Sequence, residues 1–142
     1  MATIEEAVVY KMLNTSAITA LIDSGSAARL YPLVVPQTAA LPAIAYQKIS
    51  SPKEQAHTGS SHLCRSRIQF TCEADDYSTV KALAIAVKQC WDSFRGIVNL
   101  GTLDSLAIDG CAVDNDVDSA RERGAAVSPV VRLDVLIWHY EA

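Results

Sequence analysis

Leu63-Cys64-Arg65-Ser66-Arg67-Ile68-Gln69-Phe70-Thr71-Cys72 alternates between two chemistries from one residue to the next. Successive strand side chains project to opposite faces. Cys64, Ser66, Ile68, Phe70 and Cys72 therefore point one way, and Arg65, Arg67, Gln69 and Thr71 the other. This predicts a half-buried strand with a wet outer face. Directly after it, Asp75, Asp76 and Ser78 supply helix-starting groups. Val80, Leu83, Ala84, Val87, Trp91 and Phe94 then recur at helical spacing, and Gly96 is read as the stop. Such a helix buries its stripe only by lying across the sheet.

Toward the N-terminus, Thr3-Ile4-Glu5-Glu6 matches a capping box, with the Thr3 hydroxyl accepting from the Glu6 amide. A helix to about Leu13 carries Ile4, Ala7, Val8 and Met12 on one side. After Asn14-Thr15-Ser16, Ser16 is read as the cap of a second short helix through Ile22, closed by Ser24-Gly25. Arg29 to Pro36 is bounded by prolines, which suits an edge strand or an extended crossover. Pro42 opens a strand near Ala43–Ser50, and Ser51–Ser61 reads as a loop or a long hairpin tip.

Toward the C-terminus, Ile97–Val113 predicts one or two strands with a turn near Leu100-Gly101. Asp114–Gly124 reads as a charged, irregular loop. Val130–Tyr140 closes the fold as a strand, with Val131, Leu133, Val135 and Ile137 on one face. Arg132, Asp134, Leu136, Trp138 and Tyr140 take the other face. The expected fold is α+β, a mostly antiparallel sheet with helices packed on one face.

At 142 residues the chain reads as one domain with a core of its own. Half of its residues are apolar and a fifth are charged, which excludes a disordered chain. The formal net charge of −4 argues against a phosphate-binding stripe and specific nucleic-acid readout. Glu5 and Glu6 stand where a secretory segment is apolar or basic, so the reading places the chain in the cytosol. No apolar run reaches the ~20 residues of a membrane span, so no membrane partner is expected.

Cys64, Cys72, Cys90 and Cys111 form no CxxC pair. They read as small buried hydrophobes, without a metal. His57, His62 and His139 are scattered. No G-x-S-x-G, H-E-x-x-H or Gly-rich phosphate loop is present, so neither an enzyme nor a cofactor is expected.

Several segments, in order, resemble the tail completion family of long-tailed bacteriophages, which includes tail terminators and head–tail joining proteins. They are Arg29-Leu30-Tyr31-Pro32-Leu33-Val34-Val35-Pro36-Gln37 with Leu41-Pro42-Ala43-Ile44-Ala45-Tyr46-Gln47, and Arg67-Ile68-Gln69-Phe70-Thr71-Cys72-Glu73-Ala74 running into Tyr77 and the Lys81–Val87 helix. Phe94-Arg95-Gly96 and the closing Arg132-Leu133-Asp134-Val135-Leu136-Ile137-Trp138-His139 complete the set. Glu73-Ala74-Asp75-Asp76 is more acidic than the family pattern.

The resemblance implies a virion protein of the tail or neck, a hexameric ring at the head-proximal end of the tail tube. Such a ring ends tube growth and joins the tail to the head connector. Its partners are then copies of itself, the tail tube protein and the connector, with DNA at most passing through the lumen. The alternatives are another neck or minor tail protein, or a non-phage binding module of the same fold.

Three groups of residues are candidates for contact. Leu136, Trp138 and Tyr140 form an outward subunit interface unless the N-terminal hairpin covers them within the chain. Arg65 and Arg67 pair with Asp114, Asp116 and Asp118 of a neighbouring subunit, or else are solvated charges worth under ~1 kcal/mol. Lys53, Glu54, Gln55 and His57 on one loop, with Arg121, Glu122 and Arg123 on the other, dock tube or connector, or else are simple hairpin tips.

Overall fold

A computed structural model of the chain describes residues 3–56, 59–100, 105–123 and 126–140, with the backbone alone at 54–56, 59–61 and 123. The order is α1 (Ile4–Leu13), α2 (Ser16–Ile22), a 3-10 turn (Gly25–Ala27), β1 (Leu30–Pro32), β2 (Ala43–Ser50), β3 (Lys53–Ala56), β4 (Gly59–Glu73), α3 (Tyr77–Trp91), β5 (Gly96–Asn99), β6 (Ser105–Arg123) and β7 (Ala126–Tyr140).

The helices begin where local chemistry satisfies their free amides. Thr3 accepts from the Glu6 amide at 3.2 Å, the first half of the capping box, while Glu6 reaches back to the Thr3 hydroxyl, which donates to its carboxylate. The second cap differs from expectation. Thr15, not Ser16, precedes α2, and its hydroxyl donates back to the Lys11 carbonyl at 2.8 Å, closing α1 instead. Asp76 caps α3 by accepting from the Thr79 amide at 2.7 Å. Bonds from the Thr79 side chain and amide hold the Asp76 carboxyl below its usual range. The α3 helix stops at Trp91 rather than at Gly96. Ser93 in the left-handed region turns the chain, and Gly96 starts β5.

Among the described residues the strands form one sheet in the order β1-β2-β4-β7-β6-β5, with β3 also on β4. Among the described residues, β1, the proline-bearing edge strand, runs parallel to its neighbour, and the other pairings are antiparallel. The β4–β7 register runs from Leu63↔Tyr140 to Glu73↔Val130 and fixes which residues share a face.

All three helices cover one side. Met12, Ile18, Ile22, Val80, Leu83, Val87 and Trp91 bury against Ile68, Phe70, Cys72, Leu133, Val135 and Ile137. Trp91 stacks on Phe70 with ring centroids 6.1 Å apart, and Phe94 meets Trp91 edge-on at 6.3 Å. Each large side chain sealed in this layer contributes about 1.5–3 kcal/mol. On the opposite side a smaller cluster of Val35, Ala43 and Ala45 covers one corner only.

The expected Asp114–Gly124 loop is a correction. Residues 114–123 continue β6, paired with β7 as far as Arg123↔Ala126. The charges that suggested a loop line the two faces of a ribbon, where side chains of other elements meet them. That ribbon extends past β4, because residues 126–129 of β7 pair with β6 alone. The β3–β4 hairpin projects from the opposite end of the sheet, beyond Leu63↔Tyr140.

Candidate functional site

The face of the sheet that no helix covers is built from β2, β4, β7 and β6. Leu136 and Trp138 on β7 lie half-buried on it, and Tyr140 is exposed at its rim. Register sets Arg65 opposite Trp138 and Arg67 opposite Leu136 on β4. Gly110 stands opposite Trp138 on β6, with open space where a Cβ would project. The N-terminal helices pack on the other side, so they do not cover this patch.

Arg67 is held within the chain. Its guanidinium donates to Asp114 at 2.7 Å and to Asp134 at 3.3 Å, and Gln69 donates to the second carboxyl oxygen of Asp134. The bond to Asp114, with the charges of both carboxylates, raises the Arg67 pKa further. Arg65 remains exposed.

Asp116 and Asp118 are elsewhere. A bulge between Val113 and Asn115 inserts Asp114 into β6 and shifts the alternation by one residue. Asp116 and Asp118 consequently turn to the helix side, where Lys88 binds Asp116 and Lys81 lies 3.0 Å from Asp118. Tyr77 also donates to Asp118, and that bond with the Lys81 contact lowers the Asp118 pKa. The bond and charge of Lys88 lower that of Asp116. Spacing of two along the chain places the three aspartates on one face; the bulge separates them.

Of the proposed docking residues, Lys53 opens β3. The side chains of Glu54, Gln55, His57 and Arg123 lie outside the described residues. Glu122 is exposed on the ribbon. Arg121 is an internal strut: it donates to the Val35 carbonyl at 2.8 Å and lies 3.4 Å from the buried Glu73 carboxylate.

A groove of about 340 Å³, unmarked by any sequence pattern, lies on the same face. Gln47, Gln69, Thr71 and Arg132 line its floor, and Leu33 and Val34 overhang it. Arg132 makes no ion pair among the described residues. Leu33 and Val34 are 69% and 59% exposed, and Leu33 holds φ +69°. That backbone state is costly for a bulky L residue, on the order of 1–3 kcal/mol. No sequence signal marked it, because the overhang is set by Leu33 N–H donating to the Tyr46 carbonyl at 2.8 Å.

The remaining reactive groups are internal. His139 is buried and bonds Ser66 at 2.7 Å, and Ser66 bonds Ser51 at 2.8 Å. Burial pushes the Cys72 and Cys111 thiols up to about 12. Among the described residues no group of three or more His, Cys, Asp or Glu gathers to hold a metal. No described helix is long and apolar enough to cross a membrane.

A sheet sealed by helices on one side, with an aromatic patch, a groove and two projecting hairpins elsewhere, defines an α+β protein. The chain belongs to the tail completion protein gp17 family, whose pattern matches residues 6–126. It is a structural protein of the phage tail and a virion component. A solved chain from the virion of a native gene transfer agent particle has the same fold, with a TM-score of 0.72 and 16% identity over 97% of this chain and 95% of that one. Among curated proteins none matches it in sequence.

Proposed function

We propose that the chain, as one domain, forms a ring of six copies at the head-proximal end of the tail. There the ring ends tube growth and joins the tail to the head connector. Its work is geometric, with no reaction and no cofactor, and DNA passes its acidic surface without specific readout.

The observation that carries this reading is the helix-free sheet face with Leu136, Trp138 and Tyr140 outward beside Arg65. Aromatic and arginine side chains are the usual anchors of a protein contact. A closed ring needs two different complementary patches on each subunit. Hairpins at opposite ends of one rigid sheet supply asymmetry of that kind. Membership of the tail completion family and the virion origin of the structural neighbour support the placement.

Native mass spectrometry across a concentration series tests it. A discrete hexamer that Trp138→Ser reduces to monomer is the expected result. A dimer that stays dimeric when mixed with tube protein would remove the assignment.

A further inference from the structure

We infer that neighbouring copies join by strand pairing, the open edge of β6 in one copy against the open edge of β2 in the next, a contact that rests on the ring reading.

Among the described residues neither edge has a strand beside it. β5 pairs with β6 no further than Ile108, and β1 with β2 no further than Tyr46. Residues 114–118 on β6 and 47–50 on β2 are exposed without a break. An edge strand turns alternate N–H and C=O groups outward, ready for another strand. On β2 the Tyr46 carbonyl accepts from Leu33, and the next groups on that side are those of Lys48.

The side chains match when the two edges lie antiparallel with Val117 opposite Ile49. These two are 48% and 47% exposed. Val117 pairs with Arg132 and so lies on the helix-free face, and Ile49 is the extra residue of a bulge beside Arg67, on that same face. One residue along, Asp118 stands opposite Lys48. Their partners Val131 and Ile68 place both on the helix side. Asp118 already meets Lys81 at 3.0 Å, and Lys48 meets Glu5 at 3.2 Å, but both pairs stay half-exposed, and a carboxylate accepts more than one donor.

Direction fits as well. Strands β2, β4, β7 and β6 alternate in direction, so the two edges run opposite ways. Copies set side by side in the same sense therefore pair antiparallel, with their helix layers on one side. A symmetric pair of two β6 edges is disfavoured. From Asp109 to Asp118 there are four aspartates and no basic residue, and like charges would meet. Two different complementary edges are what a head-to-tail ring contact requires.

The test uses the full chain, alone and mixed with tube protein. On assembly, edge-facing amides within 114–118 should slow at least about tenfold in hydrogen exchange. Copies carrying Ile49→Cys should link to copies carrying Val117→Cys on mild oxidation, and neither variant should link to itself, since the described native cysteines are buried. Lys48→Asp or Asp118→Lys should each raise the concentration for half-assembly about threefold or more, and the two together should return it to within about twofold. The exchange measurement uses the parent chain and holds however the variants fold.

A ring whose 114–118 amides exchange as in the monomer overturns the inference. So does Val117→Cys linking to itself, or a double reversal no better than either single one. If the ring forms with any of these results, only this contact falls. If no ring forms with or without tube protein, the ring reading falls with it.

Discussion

The Arg67 guanidinium lies 2.7 Å from the Asp114 carboxylate, across 47 residues of sequence, and the bond exists because Asp114 is the extra residue of a bulge. The bulge lets the ribbon serve both faces: Asp114 binds on the outer side, while Asp116 and Asp118 bind α3 on the inner side.

Deleting Asp114 should do little more than remove one carboxylate. Val113 pairs with Val135 and Asn115 with Asp134, so the deletion closes the bulge into a regular ladder and leaves Asp116 and Asp118 facing Lys88 and Lys81. A loss of about 1 kcal/mol is expected in urea unfolding, close to that of Asp114→Asn, since both remove the partly exposed pair with Arg67. A deletion that costs more than about 3 kcal/mol would show that the bulge itself holds the ribbon in place.

The ribbon's attachment to α3 should fail in acid. Asp116 is held below the usual carboxylate range by the bond and charge of Lys88, and Asp118 by the bonds of Tyr77 and Lys81. With folded values below unfolded ones, the unfolded chain binds more protons, so stability rises with pH through this window. Their contribution is full above about pH 5 and disappears as pH falls through the folded values. Melting temperature between about pH 5 and pH 2 should fall less steeply in an Asp116→Asn, Asp118→Asn variant than in the parent. Parallel curves would count against the attachment.

Arg121 should matter to folding more than to docking. Arg121→Met leaves the Val35 carbonyl without its 2.8 Å donor and weakens the setting of the buried Glu73. The expected cost is about 1–3 kcal/mol in thermal unfolding. No change would show the strut to be dispensable.

Phe70→Ala should cost about 3–5 kcal/mol in urea unfolding, because it empties the center of the helix–sheet contact and removes the partner on which Trp91 stacks. A loss under about 1 kcal/mol would mean that the layer collapses around the gap.

Cys72 and Cys111 should resist alkylation near pH 8 in the folded chain, since burial has pushed both thiols up to about 12. Mass spectrometry should show both labelled once urea unfolds the protein. Rapid native labelling of Cys72 would contradict its burial.

Elements whose signals are local were legible in the residues alone. Alternation in Leu63–Cys72 and Val130–Tyr140, and the helical stripe from Val80 to Trp91, each follow from backbone geometry at one place in the chain. The α+β class and the outward face of Leu136, Trp138 and Tyr140 were legible on the same grounds. Tertiary structure alone decided the rest of the candidate site. The bulge at Asp114 exists only relative to β7, so a charged strand looked like a loop and three aspartates looked like one group. The groove joins Leu33, Gln47, Gln69 and Arg132 from four separate segments. Sequence spacing records the period of a strand, but which strand lies beside it, and where the register slips, is set by packing against partners far along the chain.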